Sequence, residues 1–147
     1  MKIRTSFAAA GAVAVLGAGA LVLPAVASAS SATHTLKFIS VTKKSVSFTK
    51  TTGAQQSTDV NAAGKIVGFD MIYFAATSAN TAAINVTVDT AGGFLYGRGT
   101  INFKTGVFSN GKVTGGTGAF AGATGTIKAK ALNTAGTREA VTIIYST

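Results

Sequence analysis

Cysteine and tryptophan are missing from this chain, and proline, histidine and acid are scarce: one Pro, one His and four Asp+Glu in 147 residues. Without cysteine there is no disulfide, no thiol nucleophile and no thiolate-held metal. One histidine with four dispersed acids gives no metal-ligand cluster, so neither metal nor cofactor is expected. His34 has no acid near it in sequence and offers no Ser-His-Asp triad. Helical apolar periodicity is also absent beyond the first few dozen residues, which removes the helical fold classes. Acid is outnumbered by 13 Lys+Arg, for a net charge of +9.

The N-terminus reads as a secretory signal peptide over residues 1–29. Lys2 and Arg4 form a basic start, residues 7–23 contain only Ala, Gly, Val, Leu and Phe, and Ala27-Ser28-Ala29 supplies a small-residue cleavage pattern. The apolar run is shorter than the roughly 20 strongly apolar residues needed to span a bilayer. The expectation is a secreted protein with no transmembrane span after cleavage and one domain over residues 30–147, 118 residues long. A chain of that size buries about two-thirds of its unfolded surface and folds without disulfides. Its net charge of +7 has two readings: attraction to an anionic partner, or a solvated outer face. Only Lys43 and Lys44 are adjacent, and no aromatics interleave with a basic run as a stacking platform would require. No specific nucleic-acid partner is expected.

What remains is strand. Thr, Val, Ile, Phe and Tyr fill runs punctuated every ten residues or so by Gly, Asn, Asp and Ser. Strands are predicted over 35–42, 45–51, 65–76, 82–89, 94–103, 111–114, 125–132 and 138–145, with short turns that imply antiparallel neighbours. Ile127, Ala129 and Ala131 alternate with Lys128 and Lys130, so the lysines mark solvent. Val141, Ile143 and Tyr145 share a face in the last strand. Between 67 and 74 both faces are largely apolar, which suits a barrel wall with one face inside and the other against a partner subunit or a covering segment, so a homo-oligomer is one of two expectations. Asn110-Gly111 is a strong hairpin signal, but Lys104-Thr105-Gly106 already offers the turn, and the latter is preferred.

The run Gly115-Gly116-Thr117-Gly118-Ala119-Phe120-Ala121-Gly122-Ala123-Thr124-Gly125 packs five glycines and one aromatic between alternating segments. It reads as a tight corner between strands of a curved sheet. It lacks the Gly-Lys-Ser/Thr ending of a phosphate-binding loop. This corner resembles that of the dirigent proteins and allene oxide cyclase-like barrels. Two further segments resemble that family: the hairpin from Asp59 to Asp70, where an acidic strand end precedes a Gly turn and Lys65-Ile66-Val67-Gly68-Phe69-Asp70, and the strand Phe94-Leu95-Tyr96-Gly97-Arg98-Gly99-Thr100-Ile101. The resemblance implies an all-β, antiparallel, closed barrel of about eight strands enclosing a hydrophobic cavity. It further implies a secreted protein that binds a small hydrophobic molecule and steers its cyclisation or coupling, an isomerase-like activity without cofactor. Thr124 stands where dirigent proteins commonly carry arginine, and their His-Asp pair near the first strand has no counterpart. The alternative is a non-catalytic secreted or surface protein that uses the barrel for oligomerisation or attachment.

Asp70 is the leading catalytic candidate, because it shares a face with Ile72 and Phe74, where a charge is costly unless used or paired. The bland reading, a carboxylate satisfied at a strand bend, stays open. Tyr96 and Arg98, two apart on one face of their strand, and Tyr73 are candidate ligand-binding residues at a cavity mouth. Asp59 and Asp89 read as turn-capping, and Glu139, beside Arg138, as exposed.

Overall fold

The computed structural model describes residues 32–147; the leader expected over 1–29 lies outside them. Eight antiparallel strands follow one another in order and close on themselves. They are β1 (Thr33–Ser47), β2 (Thr52–Val60), β3 (Ile66–Ala76), β4 (Thr81–Thr90), β5 (Gly93–Asn102), β6 (Val107–Gly116), β7 (Thr124–Ala131) and β8 (Arg138–Ser146). Each pairs with its sequence neighbour, and β1 joins β8 from Thr33↔Ser146 to Val41↔Arg138. The expected eight-stranded all-β barrel is therefore the observed one.

Two strand assignments are corrected. Residues 35–42 and 45–51 were expected as separate strands, but β1 is continuous from Thr33 to Ser47, its register with β2 shifts between Thr42 and Lys44, and residues 48–51 form the bend into β2. The extra residue is Lys43, since Thr42 pairs with Ser57 and Lys44 with Gln56, and it forms a bulge with its side chain exposed. The eighth strand is instead β2, whose sequence Thr-Gly-Ala-Gln-Gln-Ser-Thr-Asp-Val carries no apolar face to announce it.

Asn110-Gly111 lies inside β6 rather than in a hairpin turn. Asn110 takes φ 54°, a left-handed conformation that asparagine tolerates better than most residues. The β6–β7 register jumps between Val107 and Lys112 at this point, so the pair forms a bulge. A Cβ on Gly111 would strike the Ile127 backbone carbonyl and the Phe108 ring. Gly111→Ala is expected to cost roughly 1–3 kcal/mol, the usual penalty of overpacking, read as a lower urea midpoint at unchanged slope.

The glycine run joins β6 to β7 and does more than turn. A 3₁₀ turn at Gly118–Phe120 folds Phe120 over one end of the barrel. There it is 4% exposed and meets Tyr145 edge-on at 5.4 Å. A Cβ on Gly116 would sit 2.5 Å from the Phe120 Cβ, so glycine there makes room for the plug. Around Phe120, the side chains of Phe38, Val88, Leu95, Val113, Ala123, Ile127, Ile143 and Tyr145 form the apolar core. That end is solid. The outer wall of β3 is the reverse: Val67, Phe69, Met71 and Tyr73 are all more than a third exposed, the second apolar face expected from the sequence.

Candidate functional site

Above the plugged end the interior is hollow. A cavity of about 260 Å³ is walled by Ile72 and Phe74 from β3, Ile84, Val86 and Val88 from β4, and Phe108, Ile127 and Val141 from the far side. It extends past Ser45 to Phe103 and Gly106, all exposed, and so opens at the end that carries the 103–106 turn. Its wall is apolar except on one side, where Ser40, Gln55, Asp70 and Glu139 face inward.

The polar side is built by register. Period two on β2 turns Gly53, Gln55, Ser57 and Asp59 inward, and all but Gln55 are fully buried. Ser40 stands opposite Asp59 on one flank and opposite Glu139 on the other, while Ser57 stands opposite Asp70. Asp59, Ser40 and Glu139 thus share one cross-strand row, with Asp70 beside it. Ser40 donates its hydroxyl to Asp70 Oδ2 at 2.6 Å. Asp70 is 5% exposed and Asp59 1%.

Asp70 and Glu139 in an otherwise apolar wall, with buried Asp59 beside them, create an electrostatic problem. Among the described residues no partner bonds to either Asp59 oxygen, to Asp70 Oδ1 or to Ser57 Oγ. Two carboxylates cannot satisfy one another, because both only accept. A proton resolves this. Burial pushes the Asp59 carboxyl up to about 8, and the neighbouring Asp70 charge acts in the same direction. Asp59 is therefore the acid of this group that keeps its proton into the neutral range. Burial, then the Asp70 charge, also raises the Glu139 pKa. Such a set can accept a proton from a bound molecule and return it.

Asp70 lies where the sequence placed it, on the inner wall with Ile72 and Phe74. The other three candidates lie elsewhere. Tyr73 is outside, 42% exposed and stacked on Phe48. Tyr96 and Arg98 do share a face, but it is the outer one: Leu95 and Gly97 are the buried members of β5. Arg98 borders a shallow surface groove with Asn110 and Lys112. No bulge in β3 brings Tyr73 round to the Asp70 side, since the register with β4 is regular across both.

Asp59 and Glu139 are corrected from turn cap and exposed residue to members of the buried acid group. Glu139 had a legible signal, because stepping back by two from Tyr145, Ile143 and Val141 lands on it. His34 is exposed on β1 and stacks on Tyr145 at 5.3 Å, far from any triad role. Among the described residues no three His, Cys, Asp or Glu side chains are grouped so as to hold a metal ion.

No family model matches the chain, and no curated protein matches it. Its fold does match solved structures. A pyocyanin demethylase superposes with a TM-score of 0.55 at 18% identity, over 76% of this chain and 99% of that one. AbnU, an exo-specific intermolecular Diels–Alderase, superposes with a TM-score of 0.62 at 10% identity, over 79% and 99%. At such identities the likeness establishes a shared barrel fold.

Proposed function

We propose that this protein is a small-molecule-binding barrel that admits a mostly apolar ligand at its open end and moves a proton on it with buried carboxyls. The observation that carries this reading is the placement of Asp70, a carboxylate with one unpartnered oxygen, on the wall of an otherwise apolar cavity. Burying an unused carboxylate there costs several kcal/mol, a cost a purely structural barrel would not incur. Ser40 fixes the Asp70 rotamer, Asp59 holds the exchangeable proton behind it, and the apolar wall excludes water. The cavity lies just under the roughly 300–1,000 Å³ of ordinary ligand sites, which suits a mono- or bicyclic molecule. That two proteins of the same fold are named for acting on small molecules adds support. Proton transfer of this kind serves an isomerisation or ring closure without cofactor.

Export is part of the reading, supported by the basic and then apolar sequence of residues 1–29. So is self-association through the exposed apolar wall of β3. Native mass spectrometry of protein recovered from the culture medium of its own host tests all three. The expected spectrum shows a chain beginning at Ser30, a bound small molecule, and more than one copy. Asp70→Asn should lose the bound mass while keeping the far-ultraviolet spectrum of the barrel. An Asp70→Asn protein that retains the ligand in full would sink the assignment of Asp70.

A further inference from the structure

Charge is sorted across the barrel wall. All eleven Lys and Arg of the described residues are exposed, and none lines the cavity. Of the four acids in the sequence, Asp59 and Asp70 are buried and Glu139 is half-buried, which leaves Asp89 alone fully outside. A cationic shell thus surrounds an acidic interior with no internal counter-ion.

The Asp70 side chain points to what is missing. It is more than nine-tenths buried and lines the cavity. Ser40 holds one carboxylate oxygen, and Oδ1 has no donor. Glu139 reaches the same space from β8. The chemistry that satisfies two carboxyls in an apolar chamber is a hydrogen-bond donor carrying positive charge. Among the described residues no three His, Cys, Asp or Glu side chains are grouped to hold a metal ion, so an organic cation fits the chamber better than a metal. A carboxylate-bearing ligand meets the opposite situation, like charge without any donor to offset its desolvation.

We propose that the cavity selects a small, mainly apolar molecule whose polar head is a protonated nitrogen, an amine or a basic N-heterocycle, held between Asp70 and Glu139. This rests on the ligand-binding reading above and narrows it to a substrate class. The apolar wall of Ile72, Val86 and Phe108 takes the hydrocarbon body. Asp70, fixed by Ser40, sets the position of the nitrogen.

Three probes with one ring system and different heads separate the ideas: 1-naphthylmethylamine, 1-naphthylmethanol and 1-naphthylacetate, titrated into the purified protein at pH 7 and followed by naphthalene fluorescence. The amine is expected to bind at least tenfold tighter than the alcohol, with the acetate weakest. That preference should collapse to within about threefold in Asp70→Asn and in Glu139→Gln, each first checked for a native far-ultraviolet spectrum. Acetate binding as tightly as amine would overturn the proposed class while leaving a ligand-binding barrel in place. So would equal affinity for amine and alcohol, or an amine preference that survives in both variants. Binding of none of the three would overturn the class and the ligand-binding reading together.

Discussion

Leu95→Ala should cost the folded state roughly 2–5 kcal/mol, the range for truncating a fully buried aliphatic side chain. Leu95 is 0% exposed, stands opposite Val88 on β4 and Gly116 on β6, and belongs to the core packed at the plugged end. Truncation there opens a void that the closed ladder cannot collapse, because strands bonded on both sides have little room to move. Since domains of this kind are stable by only about 5–15 kcal/mol, a single methyl cluster is a large share. Ile72→Ala makes the comparison sharper. Ile72 borders the existing cavity and lacks neighbours on that side, so it has fewer contacts to lose. Urea melts should place the Leu95 variant well below the Ile72 variant. Equal losses would mean that the hollow does not exist in solution.

Stability should fall as pH rises from 4 to 8, the reverse of ordinary carboxylate behaviour. The Asp59 carboxyl moves from an ordinary 3.8 up to about 8 in the fold. Below the lower value both folded and unfolded chains hold the proton, and the full stability is present. Between the two values the unfolded chain has released the proton while the folded chain still carries it, so each pH unit removes up to ~1.4 kcal/mol. Above about 8 both states have lost it, and the decline ends. Glu139, also raised, contributes in the same direction. Between pH 5 and pH 8 the loss should be on the order of 3 kcal/mol, visible as a lower thermal midpoint at the alkaline end. Asp59→Asn removes the titration and should flatten the profile, making the variant more stable than the parent at pH 8. A parent protein whose melting point rises over this interval would show that Asp59 is ionised in the fold.

The barrel was legible in the sequence wherever its interior is apolar. On β7, Ile127, Ala129 and Ala131 face in while Lys128 and Lys130 face out, as the alternation required. On β3 the inward set Gly68, Asp70, Ile72 and Phe74 also follows from period two. Legibility failed on β2, where Gly53, Gln55, Ser57 and Asp59 face inward and Ala54, Gln56 and Thr58 face outward. Neither set is apolar, so hydrophobic alternation has nothing to report. The strand that escaped the pattern supplies Gln55 to the chamber wall and sets buried Asp59 opposite Ser40. A strand that turns polar side chains inward suppresses the signal by which it would be recognised. Tyr96 and Arg98 failed for another reason: spacing reveals that two residues share a face, but a glycine-flanked strand such as Gly97-Arg98-Gly99 does not reveal which face is inside.

The seam between β1 and β8 has a consequence for how the chain reaches this shape. Thr33 and Ser146 are 113 positions apart, yet the whole of β8 is paired with the Thr33–Val41 part of β1. Hairpins from β2 to β8 can form from neighbours as they appear, whereas this last ladder waits for both extremes of the domain and for the loop-closure entropy between them. Such topologies fold on the millisecond-to-second scale. Until the seam closes, two strand edges and the apolar outer wall of β3 are exposed together, the combination that invites intermolecular pairing. Crowding during synthesis is therefore the time of greatest hazard for this protein, and the ring of hydrogen bonds ends that hazard only when its first and last strands meet.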